Sequence, residues 1–187
     1  MKKKVFLFGL LFSLLLLCGC GVNLTSTVKL NKDFLGTRVM SCTFSSRDFH
    51  SYFKGSKEDL NKLIKESCPD ALTYTSSSSD GNDTYTFYLR FSSPDDYKKK
   101  VRDLLNFSPE ITYEYGDSPF VSGLIYKENF TSKDLMTWLY TALYEGKYID
   151  KDSSSDLWDL KSTKISFLGK TYETKDKINI DEMSYVP

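Results

Sequence analysis

The sequence predicts an α+β domain: an antiparallel sheet built from three repeated hairpin-plus-helix (ββα) units with the helices on one face, followed by a C-terminal strand pair. Three observations carry this. Segments in which apolar and polar residues alternate, the period of a strand with one buried face, come in pairs separated by Gly, Asp, Asn or Pro. Each pair is followed by a stretch whose apolar residues recur at helical spacing. The junction between them is written the same way three times, as Phe44-Ser45-Ser46-Arg47-Asp48, Phe91-Ser92-Ser93-Pro94-Asp95 and Phe130-Thr131-Ser132-Lys133-Asp134.

Taken in order, residues 22–30 alternate, pause at Asn31-Lys32-Asp33 and Gly36, and resume over 37–44 as a first hairpin. A second spans 71–76 and 85–91, with turn chemistry from Ser79 to Asp83. A third spans 111–115 and 121–130, turning at Gly116-Asp117-Ser118-Pro119. Each ends at the Phe of the repeated motif. There Ser46, Ser93 and Ser132 stand where an N-cap hydroxyl accepts from the free amides of a first helical turn. Asp48, Asp95 and Asp134 follow where the helix dipole favours a carboxylate. The motif therefore reads as fold punctuation. A reactive Ser–Asp pair would still need a base, and His50 is the chain's single histidine.

The helical stretches differ. After a short turn over 47–53, broken at Gly55, Ser56 opens an amphipathic helix with Leu60, Leu63, Ile64 and Cys68 on one face. Residues 94–106 turn Tyr97, Val101, Leu104 and Leu105 inward and Lys98, Lys99, Lys100 and Arg102 outward. Residues 133–144 are apolar almost all round, so this helix must be buried on several sides or meet a partner. Its Trp138, Tyr140 and Tyr144 are the candidate partner contacts. A polar loop over 151–156 leads to a last strand pair, 164–168 and 170–173, around Gly169, with a further strand over 177–180.

The N-terminus carries Lys2, Lys3 and Lys4, an apolar run over 5–17, and then Leu17-Cys18-Gly19-Cys20. The run is shorter than a membrane span and has the layout of an export signal. The four-residue end resembles the lipobox of bacterial lipoproteins. That resemblance implies that residues 1–19 are a signal peptide and that Cys20 becomes the first residue of the mature chain, carrying a thioether-linked diacylglycerol. The plain alternative is a cleaved secretory leader with incidental cysteines. Residues 20–187 then form a single extracytoplasmic domain, or the N-terminal part of a longer chain, at the outer face of a bacterial cell membrane. The stretch VNLTSTVKLNKDFLGTRV and the ββα layout resemble the LppM type of membrane-attached lipoprotein domain, a likeness that carries over no active site.

Lys and Arg number 25, as do Asp and Glu. Without the three leader lysines the exported part is slightly acidic, which argues against a nucleic-acid partner and against strong attraction to anionic headgroups. Cys42 and Cys68 remain in it, either as a disulfide, which an oxidising compartment permits, or as two packed thiols. Asp150, Asp152 and Asp156 fall at positions one, three and seven of a calcium loop, but no Gly stands at six and Lys161 replaces the acid at twelve. No metal and no cofactor beyond the lipid is expected. Tyr85, Phe87, Tyr113 and Tyr115 lie on alternating tracks and are either core or a stacking surface for sugars or peptides. The expected function is a non-catalytic binding or assembly module close to the membrane. Its partners would be the membrane, through the lipid, and other membrane or exported proteins, with the oligomeric state left open. The alternative is a cell-envelope enzyme working through carboxylates that the sequence does not single out.

Overall fold

The computed structural model describes residues 22–150 and 157–185; Cys20 and the loop aspartates Asp152 and Asp156 lie outside them. Among the described residues, ten strands form two sheets, with four α-helices between them in sequence. Strands β1 (Val22–Leu30), β2 (Gly36–Ser45), β3 (Thr73–Ser79), β4 (Asn82–Phe91), β7 (Trp158–Phe167) and β8 (Lys170–Thr174) form the larger sheet, in the order β3-β4-β2-β1-β7-β8. Strands β5 (Ile111–Asp117) and β6 (Val121–Glu128) form the smaller one, and β9 (Asn179–Asp181) and β10 (Ser184–Tyr185) pair with the free side of β6.

This differs from the single antiparallel sheet expected from the sequence in two ways. The third hairpin, β5–β6, leaves the main sheet and takes β9 and β10 as neighbours. The last hairpin, β7–β8, closes onto β1 with β7 parallel to it. Both are decisions about which strand pairs with which, and residue alternation within a strand carries no such information.

One face of the large sheet is the core. Val22, Leu24, Val28 and Leu30 of β1, Met40, Cys42 and Phe44 of β2, Tyr85, Phe87, Leu89 and Phe91 of β4, and Ile165 and Phe167 of β7 are all buried. Their partners in register, such as Val28 with Arg38 and with Ile165, place them on the same side. The intervening residues, Thr25, Thr27, Ser41, Thr43, Thr84 and Thr86 among them, form an open polar face, crossed by Ser41–Thr86 and Thr43–Thr84 hydroxyl bonds of 3.2 and 3.0 Å.

The helices start where the sequence supplies caps. Helix α1 (Phe49–Tyr52) is one turn. Helix α2 (Lys57–Ser67) opens with a reciprocal capping box between Ser56 and Asp59, and stops at Cys68, whose extended backbone suits a residue preceding proline. Helix α3 (Pro94–Leu104) is capped by Ser93, which accepts from the Asp96 amide at 3.0 Å. Such a cap is worth about 1 kcal/mol. At the other two motif copies the hydroxyl one place earlier does the work: Ser45 accepts from Arg47, and Thr131 exchanges bonds with Asp134. Ser132 is instead fully buried against Thr163. A 3₁₀ turn over Asp134–Met136 precedes helix α4 (Thr137–Glu145).

The core has two halves. Near Val22, Leu60 and Ile64 of α2 and Leu139 and Leu143 of α4 close over Val22, Cys42, Phe44 and Trp158, leaving a void of only about 10 Å³. At the other end, about 30 Å away along nine residues of β1, the smaller sheet takes over. Phe34, from the β1–β2 turn, packs on Tyr113, Tyr126 and Phe167, and Tyr115 packs edge-on against Phe167. No described helix is long and apolar enough to cross a membrane.

Candidate functional site: a groove between three helices

Helix α4 resolves its apolar circumference by direction. Leu139 and Leu143 face the sheet and are buried, as are Leu135 and Met136 just before the helix. Trp138 lies to one side, edge-on to Phe87 with ring centroids 5.4 Å apart. Tyr140 and Tyr144, one turn apart, stack in parallel on the opposite flank, with Tyr144 41% exposed. The three residues expected to form one contact surface are therefore split between two flanks.

The Trp138 flank borders a groove of about 450 Å³ between α4 and the C-terminal ends of α2 and α3. Its apolar lining comes from Leu63, Leu104, Trp138 and Ala142, and its acidic groups are Asp103 and Glu145. Neither carboxylate has an ion-pair partner among the described residues. The Trp138 indole N–H is shielded from solvent and donates to none of the described residues. An apolar floor and two uncompensated negative charges suit a ligand that is partly apolar and carries positive charge.

Two buried charged clusters elsewhere are paired within the chain in ways that the sequence alone did not reveal. Arg38, on the core side of β2, donates to Glu128 at 2.9 Å and to the Tyr97 hydroxyl at 2.6 Å. The Tyr97 and Tyr126 hydroxyls both donate to the other oxygen of Glu128, at 2.7 and 2.6 Å. The guanidinium lies 5.6 Å from the Phe130 ring, and its Nε has no acceptor. Burial alone would lower the Arg38 pKa, but the Glu128 carboxylate raises it beyond its ordinary value. Burial also pushes both tyrosines well above theirs, so the cluster is one fixed cation–anion pair clasped by two neutral phenols. A signal was available. Arg38 shares the inward parity of Met40, Cys42 and Phe44, and Glu128 that of Leu124 and Tyr126.

A second buried carboxylate, Asp83, sits at the opposite end of the sheet, opposite Phe44. Burial works to raise its pKa, but Lys57 and the hydroxyls of Ser78 and Ser46 outweigh that and hold it below the usual value. Glu128 and Asp83 thus belong to separate ion pairs rather than to one cleft.

The other residues that the sequence singles out divide similarly. Cys42 and Cys68 stand as free thiols in this structure; burial pushes Cys42 up to about 12, and it packs as a small apolar side chain. Tyr85 and Phe87 are core, Tyr115 is half-buried, and Tyr113 is partly exposed while packing on Phe34. His50 is exposed beside Phe49. Asp150 pairs with Lys54. Among the described residues no group of His, Cys, Asp and Glu is placed to hold a metal ion.

No family model, curated protein or solved structure matches the chain. What bears on function is therefore the N-terminal sequence and the groove.

Proposed function

We propose that this is a membrane-anchored extracytoplasmic lipoprotein, tethered by a diacylglycerol on Cys20, that acts as a non-catalytic binding or assembly module close to the membrane surface. Its helix groove takes a basic, partly apolar segment of another membrane or exported protein. The observation that carries the binding reading is the pair of unpaired carboxylates, Asp103 and Glu145, over the Leu63–Leu104–Trp138 floor. The same reading takes the three hairpin-plus-helix stretches as repeats of one unit, whose helices together build the groove. The tether favours membrane-proximal partners, because Gly21 alone separates Cys20 from β1.

A titration tests the groove. The probes are a synthetic amphipathic Leu/Lys peptide and its Leu/Glu counterpart, added to the detergent-solubilised full-length mature protein while tryptophan fluorescence is followed. The Leu/Lys peptide is expected to bind and the Leu/Glu peptide not to. The double variant Asp103→Asn/Glu145→Gln is expected to weaken binding at least tenfold, since each lost charge contact contributes on the order of 1 kcal/mol. Equal binding of the two peptides, or an unchanged affinity in the double variant, would remove the groove from the account.

A further inference from the structure

The end of the molecule farthest from Val22 carries an apolar surface that neither the core nor the helix groove uses. Phe120, in the β5–β6 turn, is 68% exposed; Leu168, in the β7–β8 turn, 55%; and Tyr185, at the end of β10, 64%. Tyr185 pairs directly with Val121, next to Phe120. Between the β5–β6 and β7–β8 hairpins lies a hollow of about 280 Å³ lined by Tyr115, Leu124, Phe167, Leu168 and Tyr172. The hollow also takes in Gly116 and Gly123, which face each other across β5 and β6 and contribute no side chains to fill it.

The backbone of Leu168 makes this surface more than an accident of exposure. Four described residues other than glycine have positive φ. Asp80, followed by Gly81, is the residue pair that a tight hairpin favours. Lys147 follows the end of α4, where a left-handed residue commonly closes a helix. Phe34 at +56° is offset by burial among three aromatic rings. Leu168, at +45° before Gly169, occupies a turn position suited to Asn or Asp, and the conformation holds its apolar side chain half in water. A residue disfavoured both by its backbone and by its exposure gains nothing from the fold, and strain of this kind collects at functional surfaces.

We infer that this tip docks onto the same tip of a second copy of the chain, the Phe120 ring of each molecule entering the hollow of the other about a two-fold axis. The patch is self-complementary, as a two-fold interface requires, because protrusion and hollow lie side by side on one surface. Its charges are complementary too. Asp117 and Lys170 both line the hollow; Lys170 reaches Glu182 of its own chain at 3.5 Å in an exposed pair that a closer acid can replace, and Asp117 has no ion-pair partner among the described residues. The two-fold brings each against the other's opposite. A bilayer suits the site less well, since a hollow has no use in lipid and Asp117 sits at its mouth. Three exposed apolar side chains and one small hollow make a modest contact beside the roughly 800 Å² per partner of a standard interface, so the proposed dimer is weak, with a dissociation constant on the order of 10–100 µM. The tip lies at the opposite pole from Val22, and a two-fold axis along the membrane normal leaves both chain starts free to face one bilayer.

Sedimentation equilibrium of the detergent-solubilised full-length mature protein, at loading concentrations spanning roughly 10–500 µM to bracket that constant, tests the proposal. Wild type is expected to show a reversible monomer–dimer equilibrium, and Phe120→Ser to be monomeric with an unchanged melting temperature. Leu168→Asn separates docking from folding, because Asn-Gly suits the turn: its melting temperature is expected to rise or hold while dimerisation weakens at least tenfold. Asp117→Lys is expected to weaken the dimer, and Asp117→Lys/Lys170→Asp to restore it. A wild type that is monomeric throughout the range overturns the inference. So does a dimer indifferent to Phe120→Ser and Leu168→Asn. Should phosphatidylcholine vesicles bind the protein in a Phe120-dependent way while it stays monomeric, the occupant is lipid and the inference is again wrong.

Discussion

Glu128→Ala is expected to lower stability by about 3–5 kcal/mol, because it leaves the Arg38 charge buried with no counter-ion. The two side chains are 1% and 0% exposed, so no water replaces the lost carboxylate. The same substitution removes the acceptor of both the Tyr97 and the Tyr126 hydroxyls. For a domain of this size the melting temperature should fall by on the order of 10 °C. The double variant Arg38→Met/Glu128→Gln removes the charge while keeping an acceptor for the tyrosines, and most of the loss is expected to return. Buried pairs replaced together by neutral groups are often neutral or better, whereas half-pairs are strongly destabilising. A double-mutant cycle by chemical denaturation measures the coupling. A Glu128→Ala cost below about 1 kcal/mol would mean that the cluster is not the dry ion pair described above.

Gly123→Ala is expected to be nearly as damaging, by a different route. Its φ of +124° is a backbone conformation that side chains rarely adopt, and an added Cβ would stand 2.0 Å from the Glu182 carbonyl oxygen. That carbonyl belongs to the stretch between β9 and β10, and the Glu182 amide donates to the Leu124 carbonyl at 2.8 Å. The methyl group must therefore push the strand segment off β6 or force the backbone of β6 out of its bend. Backbone strain of this type costs about 1–3 kcal/mol before any lost pairing is counted. Amide hydrogen exchange is expected to show faster exchange across residues 179–185 with β1, β2 and β4 unchanged. Uniform destabilisation of the large sheet would contradict the view that, among the described residues, β6 is the only strand with which β9 and β10 pair.

These two sites also mark how far the sequence could be read. The strand residues, their inward and outward parity and, to within a residue, the places where helices begin were legible, since each is set by neighbours a few positions away, although Ser46 and Ser132 do not cap as expected. The alternation of 22–30 and 37–44 matches β1 and β2 closely, and Ser56 and Ser93 cap as their spacing implies. The parallel pairing of β1 with β7 was not legible, because it joins residues more than a hundred positions apart whose alternation would suit several neighbours. For the same reason the separate sheet around β6 stayed hidden. Gly123 looked like an ordinary glycine until Glu182 was seen against it. Arg38 and Glu128 could have been noticed separately as charges at inward positions, but nothing local says that each is the other's partner. Trp138 was singled out together with Tyr140 and Tyr144 as a candidate contact on an apolar helix. Its separation from Tyr140 and Tyr144 follows from helical geometry once the buried side of α4 is known.

The lipid tether is the central element of the proposed function, and the N-terminus of the mature protein tests it most directly. Membranes from the native cell would be extracted with detergent, the protein digested, and its N-terminal peptide analysed by mass spectrometry. The account predicts a peptide that begins at Cys20 and carries the added mass of a diacylglyceryl group. It also predicts that Cys20→Ala protein leaves the processed membrane-bound pool altogether, since two or three acyl chains at about 0.8 kcal/mol per buried CH₂ are the only anchor proposed. An unmodified Cys20, a mature chain starting at another residue, or processed Cys20→Ala protein still held in the membrane would contradict it.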